Sequence, residues 1–106
     1  MAGNNYATIP AAGSSNLALG TQGTVLVGVV NQSLTNQAAS IQVWDAPASA
    51  VASPSGYTGA KLLFQAYLTA GNSGLLGNLN IRVNYGVVVV PSAAANADGG
   101  WTFLYQ

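Results

Sequence analysis

The residues able to do chemistry in this chain of 106 are few and far apart. It has no histidine and no cysteine, so Ser-His-Asp and Cys-His relays are excluded. The charged side chains are Asp45, Lys61, Arg82 and Asp98, and no others. Two carboxylates are the minimum for a glycosidase. Asp45, however, precedes Ala-Pro and Asp98 precedes Gly-Gly, contexts in which aspartate hydrogen-bonds its own backbone in a turn. Two are too few for a tight calcium site, which gathers several carboxylates. Ser-Lys catalysis needs a serine three residues before the lysine, and Lys61 has Thr58 there; Lys61 reads as a solvent-facing residue at a strand start. Gly56-Tyr57-Thr58-Gly59-Ala60-Lys61 has the glycines of a phosphate loop without its Gly-Lys-Ser/Thr ending or its strand-to-helix context. No catalytic, cofactor or metal site is expected. One set of residues remains: Trp44, Trp101, Tyr57, Tyr67, Tyr85 and Tyr105, which suit either a sugar-binding surface or core packing. Most fall in strands, where packing is the expected role.

Composition narrows the partners. Charged residues make up 4% of the chain, against about a quarter in a typical soluble domain. Asn, Gln, Ser, Thr and Gly must supply solubility, and zero net charge leaves little repulsion between copies. Self-association is the expectation, with a homo-oligomer as the working state. Nucleic acid is not an expected partner, because Lys61 and Arg82 form no basic cluster. Nor is a membrane: the longest apolar runs, Val25 to Val30 and Gly86 to Val90, fall far short of the ~20 residues that a helical span requires. Met1-Ala2-Gly3-Asn4-Asn5 has no positive start and no apolar core, so no secretory signal is expected.

The elements that would position any site are strands. Leu79 to Tyr85 alternates apolar and polar with a period of two, as a half-buried strand does. After Gly86, Val87 to Val90 reads as a strand covered on both faces and stopped by Pro91. Trp101 to Tyr105 is aromatic and β-prone. Thr24 to Val30 and Ser40 to Asp45 are further strands; Lys61 to Leu68 is read as one also. Ala46 to Gly59 is a long turn-rich connection, and glycine-spaced Ala70 to Gly77 is read as a loop.

The sum is an all-β fold: a small antiparallel β-sandwich of six or seven short strands, jelly-roll or immunoglobulin-like, over residues 23–106. Tyr6 to Ile9 is a candidate short edge strand before Pro10; otherwise residues 1–22 are read as an extended N-terminal arm that orders only against a partner. Tyr6, Ile9, Leu17 and Leu19 would be its anchors. Arg82, flanked by Asn80 and Asn84 on the outward face of its strand, is a further candidate interface residue. Ile81, Val83, Val87, Val89, Ile41, Val43, Leu26 and Trp101 are the expected core.

Four stretches then resemble a family. Gly23 to Asn31, Ser40-Ile41-Gln42-Val43-Trp44-Asp45, Tyr85-Gly86-Val87-Val88-Val89 and Trp101-Thr102-Phe103-Leu104-Tyr105 are similar in pattern to small β-sandwich structural proteins of tailed bacteriophages. Trp44 stands where that family often has Tyr. The resemblance implies a non-enzymatic virion component made in the host cytoplasm, a decoration or cement protein that stabilises the head shell. It also implies a trimer, since such proteins often sit at threefold positions, and the major capsid protein or another virion protein as partner. The alternative is a head-fibre or tail-associated protein, or a carbohydrate-binding β-sandwich module.

Overall fold

The computed structural model describes residues 5–9, 16–32, 39–68, 73–77, 79–91 and 101–106. They contain nine strands: β1 (Asn5–Ile9), β2 (Leu17–Leu19), β3 (Val25–Gln32), β4 (Ala39–Asp45), β5 (Lys61–Leu68), β6 (Ser73–Leu76), β7 (Ile81–Arg82), β8 (Val87–Pro91) and β9 (Trp101–Tyr105). Two short 3-10 turns, Ala48–Ala50 and Pro54–Gly56, interrupt the connection from β4 to β5. One sheet runs β1-β9-β3-β6, with β7 also paired to β3; the other runs β2-β8-β4-β5. Every pairing is antiparallel.

The pairings nest. β4 pairs with β5, β3 with β6, β2 with β8 and β1 with β9. A long ladder of this kind, bent over into two layers, is a jelly roll, one of the two connectivities expected. The all-β sandwich therefore holds.

The strand count is higher than six or seven for two reasons. β2 and β7 have three and two residues, too few to leave a periodic signal. β6 lies in the glycine-spaced stretch read as a loop and pairs with β3 through Gly74 and its neighbours. Conversely, the alternating run from Leu79 to Tyr85 yields only Ile81–Arg82 as strand. Asn80 takes a left-handed φ of 46°, which asparagine tolerates better than most residues, and Asn84 and Tyr85 bend away toward β4.

Two segments of the expected N-terminal arm lie in the molecule's own sheets. β1 lies along β9, from Asn5 opposite Tyr105 to Ile9 opposite Trp101. β2 lies along β8, from Leu17 opposite Val89 to Leu19 opposite Val87. An extended segment poor in large apolar side chains satisfies its backbone at a sheet edge, and the edges it finds belong to its own chain.

Between the sheets the core contains Phe103, Leu26, Ile41, Val43, Val29 and Trp101, with Val83, Val87, Val89 and Leu19. Alternation explains the membership: Ile41 and Val43 point in from β4, Trp101 and Phe103 from β9. Seven of the eight expected core residues are buried, and Ile81 is half-buried at the margin. Val88 is fully buried although it points away from this core. The Ala48–Ala50 turn packs over that face of β8, which is why Val87 to Val89 reads as covered on both sides.

One polar contact ties the sandwich together at one end. Asp45, at the end of β4 and only 5% exposed, accepts hydrogen bonds from the backbone amides of Asn84 (2.9 Å to Oδ2) and Tyr85 (2.9 Å to Oδ1). The Ala46 amide in turn donates to the Gly86 carbonyl at 3.1 Å. Asp45 thus serves a distant bend and not its own turn, as its Ala-Pro context had suggested. Gly86 is required there. Its φ is +154°, and a Cβ would stand 3.0 Å from the Ala46 carbonyl oxygen and 3.3 Å from that of Gly20.

Three stability experiments follow from this arrangement. Phe103→Ala removes a fully buried ring and should cost about 3–5 kcal/mol in urea denaturation, whereas Ile81→Ala should cost less than half of that. Asp45→Asn retains a single carbonyl acceptor for two amides and should cost about 1.5–3 kcal/mol by the same measurement. Deleting residues 2–16 removes β1 and uncovers β9. The unfolding free energy should fall, by about 0.5–1.5 kcal/mol for each ladder hydrogen bond lost, and the denaturation midpoint with it; an unchanged midpoint would mean β1 adds nothing to the fold.

Candidate functional site

The outer face of the β2-β8-β4-β5 sheet carries the site. On β4, Gln42 and Trp44 alternate with inward Ile41 and Val43, so both project outward. Gln42 stands opposite Val90 and Trp44 opposite Val88 on the neighbouring β8. On the other side a β-bulge shifts the register between Val43 and Trp44: Val43 faces Phe64, Trp44 faces Leu62, and Leu63 is the extra residue. A bulge at this point re-aims the end of the strand that bears the tryptophan.

The connection from β4 to β5 rises over this face, and a groove of about 370 Å³ remains between them. Its floor is Gln42, Trp44 and Val90. Its far wall is the loop from Ala52 through Ser53 and Pro54 to Ser55, and Asn16 closes the end beside β2. Two side-chain hydrogen bonds fix the arrangement. The Trp44 indole Nε1–H donates to Gln42 Oε1 at 3.1 Å, which locks the ring plane. The Asn16 amide Nδ2 donates to the Val51 carbonyl at 2.8 Å, which ties the loop to the start of β2. These bonds leave Gln42 Nε2 as a donor and Asn16 Oδ1 as an acceptor for a bound molecule, alongside the Ser53 and Ser55 hydroxyls. None of the groove residues is an acid or a base. Among the described residues no group of three or more His, Cys, Asp or Glu could hold a metal ion.

The residues singled out from sequence are scattered. Tyr6 on β1 is 74% exposed. Leu19 lies in the core, and Leu17 packs against it. Ile9 pairs through its backbone with Trp101. Arg82 is exposed on β7, as are Asn80 and Asn84 beside it. Asp98 lies outside the described residues. The structure does not bring Tyr6, Leu17, Leu19 and Arg82 onto one surface: they divide between core and solvent.

The aromatic set divides just as clearly. Trp101 is buried in the core, and its indole nitrogen has no hydrogen-bond partner among the described residues. Tyr105 packs at the margin of the core. Trp44 lines the groove, while Tyr57 and Tyr85 are exposed and in contact with each other. Gln42, Asn16 and the loop serines were not foreseen as site residues. Short polar side chains are everywhere in this sequence, and only the packing of the loop over β4 sets these apart. Trp44 alone carried a signal, as an aromatic on the outward register of a clean alternating strand.

No family model matches the chain, and no curated protein does. Among solved structures the chain is similar to one described as "Crystal structure of PirA", with a TM-score of 0.47 and 14% identity, over 97% of this chain and 93% of that one. A likeness at that level says nothing about what this chain does. The resemblance to phage decoration proteins is corrected by these results: no family model and no curated protein carries it. The stretches behind it, aliphatic strands with a glycine before a valine run, are what a jelly roll of this size needs to fill its core. They mark the architecture and not a virion role, and the capsid partner, the trimer and the virion location drew on that resemblance.

Proposed function

We propose that this chain is a non-catalytic carbohydrate-binding module of jelly-roll architecture, and that the groove around Trp44 receives a neutral sugar. The observation that carries the reading is a half-buried indole locked in plane beside free amide and hydroxyl groups in an open groove without acids or bases. A pyranose has one face rich in C–H bonds and a rim of hydroxyls. The first stacks on an aromatic plane, and the second needs donors and acceptors placed around it. Trp44 supplies the plane, with Gln42, Asn16, Ser53 and Ser55 as the surrounding polar groups. The groove's volume lies toward the small end of the range for ligand sites, roughly 300–1,000 Å³, and it is open to solvent, which suits one sugar unit at modest affinity. Sialylated or sulfated sugars would find no cation in it, so an uncharged glycan is the expected class.

Glycan-array screening followed by calorimetric titration tests the reading. A neutral glycan should bind, and Trp44→Ala should weaken it at least about tenfold, roughly 1.4 kcal/mol, with the thermal melt showing that the variant is folded. Fluorescence gives a second readout. The chain has two tryptophans, and only Trp44 meets the groove, so Trp44→Phe should abolish any sugar-induced change in emission while Trp101 stays silent. Failure of every neutral glycan to bind would overturn the proposal.

A further inference from the structure

Tyr57 and Tyr85 stand out against the rest of the surface. Among the described residues four large apolar side chains are exposed, Tyr6, Tyr57, Leu62 and Tyr85, and of these Tyr57 and Tyr85, 39% and 38% exposed, touch each other. Their ring centroids are 5.4 Å apart, with planes inclined at 71° in an edge-to-face pair. Resting on the carbohydrate reading, we infer that this pair is a second aromatic subsite, so that the surface takes an oligosaccharide with one unit on Trp44 and a later unit on the tyrosines.

Each tyrosine lies close to a groove residue in the chain, or is hydrogen-bonded to the neighbour of one. Tyr57 lies two residues beyond Ser55, a groove residue, which puts their Cα atoms at most about 7 Å apart. Tyr85 is held through its backbone by Asp45, the residue after Trp44. Neither tyrosine hangs on a free loop. The Tyr57 amide donates to the Pro54 carbonyl at 3.1 Å, and the Tyr57 carbonyl accepts from the Ala60 amide at 3.0 Å. The Tyr85 amide and its neighbour, that of Asn84, are both engaged by the buried Asp45 carboxylate.

Gly59 completes the support. It has a φ of +94°, and a Cβ there would stand 2.8 Å from the Tyr85 hydroxyl oxygen, so the backbone makes room for this ring. An exposed aromatic pair fixed in this way loses little further freedom when a ligand covers it, which is the condition under which a weak stacking contact adds affinity. Fixing without covering is a poor arrangement for a domain with four charges to keep it soluble.

The test uses the intact protein and neutral gluco- and chito-oligosaccharides from mono- to hexasaccharide, titrated by calorimetry and by NMR. The expected result is an affinity that climbs about tenfold or more between the mono- and trisaccharide. Tyr57→Ala and Tyr85→Ala should flatten that rise. Gly59→Ala, which keeps both rings but displaces Tyr85, should reduce it. In the unmodified protein the ring-proton resonances of Tyr57 and Tyr85 should move with the trisaccharide and not with the monosaccharide, a readout independent of whether any variant folds. Affinity that does not change with length, or tyrosine resonances that ignore every oligosaccharide while Trp44 responds, overturns the second subsite and leaves the groove reading standing. Absence of binding at every length overturns this inference, and failure of every neutral glycan on the array besides overturns the groove reading itself.

Discussion

A single carboxylate holds the working end of this molecule in shape. Asp45 is buried, and burying a charged carboxylate costs several kcal/mol unless hydrogen bonds compensate for the lost water. Two backbone amides, of Asn84 and Tyr85, meet its two oxygens at 2.9 Å each. The reciprocal bond from the Ala46 amide to the Gly86 carbonyl closes the junction. The end of β4 is thereby fastened to the bend between β7 and β8. Trp44 immediately precedes this junction and Tyr85 belongs to it, so one contact sets the position of both proposed sugar-binding aromatics. Glycine at position 86 is the counterpart of the aspartate: the two backbones approach so closely there that a side chain would strike a carbonyl oxygen.

The remainder of the fold is a nested ladder whose outermost rung joins β1 to β9, almost the full length of the chain apart. Few of its pairings are local. Loop closure must precede most of the stabilising contacts, which places this domain among slow folders. The core itself is conventional, a slab of Val, Leu, Ile and aromatic side chains between two twisted sheets. The unusual part is the outer face of the β2-β8-β4-β5 sheet. There the long connection lies across β8, buries Val88, and leaves Trp44 only partly covered.

The shortage of charge takes on a specific meaning against this site. On the proposed reading, a groove made of amides, hydroxyls and an indole receives a molecule that is itself uncharged and rich in hydroxyls. Such recognition is unaffected by salt at a distance, and it depends on shape and on the placement of each donor and acceptor. A single shallow site of this type is weak. Affinity rises when a second aromatic contact or a second copy of the domain engages the same glycan.

By itself the sequence determined the class of fold and most of the core. The two-residue period of Ser40 to Asp45, the valine run after Gly86 and the aromatic Trp101 to Tyr105 are each readable locally, because alternation on a half-buried sheet is a local property. Absence of histidine and cysteine likewise removed whole classes of catalysis without any coordinates. Tertiary structure decided the rest. Leu79 to Tyr85 has the period of a long strand, yet Asn80 turns left-handed and Asp45 draws Asn84 and Tyr85 away, a partner thirty-nine residues distant that no window contains. Residues 1–22 taken together resemble an unattached arm because large apolar side chains are sparse among them, with Tyr6 to Ile9 alone readable as a short edge strand. Residues 5–9 and 17–19 are strands of the molecule's own sheets because free sheet edges, set by the topology, lie within reach. The groove was invisible for the same reason: Gln42, Asn16, Ser53 and Ser55 are common residue types in this chain, and they form a site only where the folded connection carries the serines over Trp44.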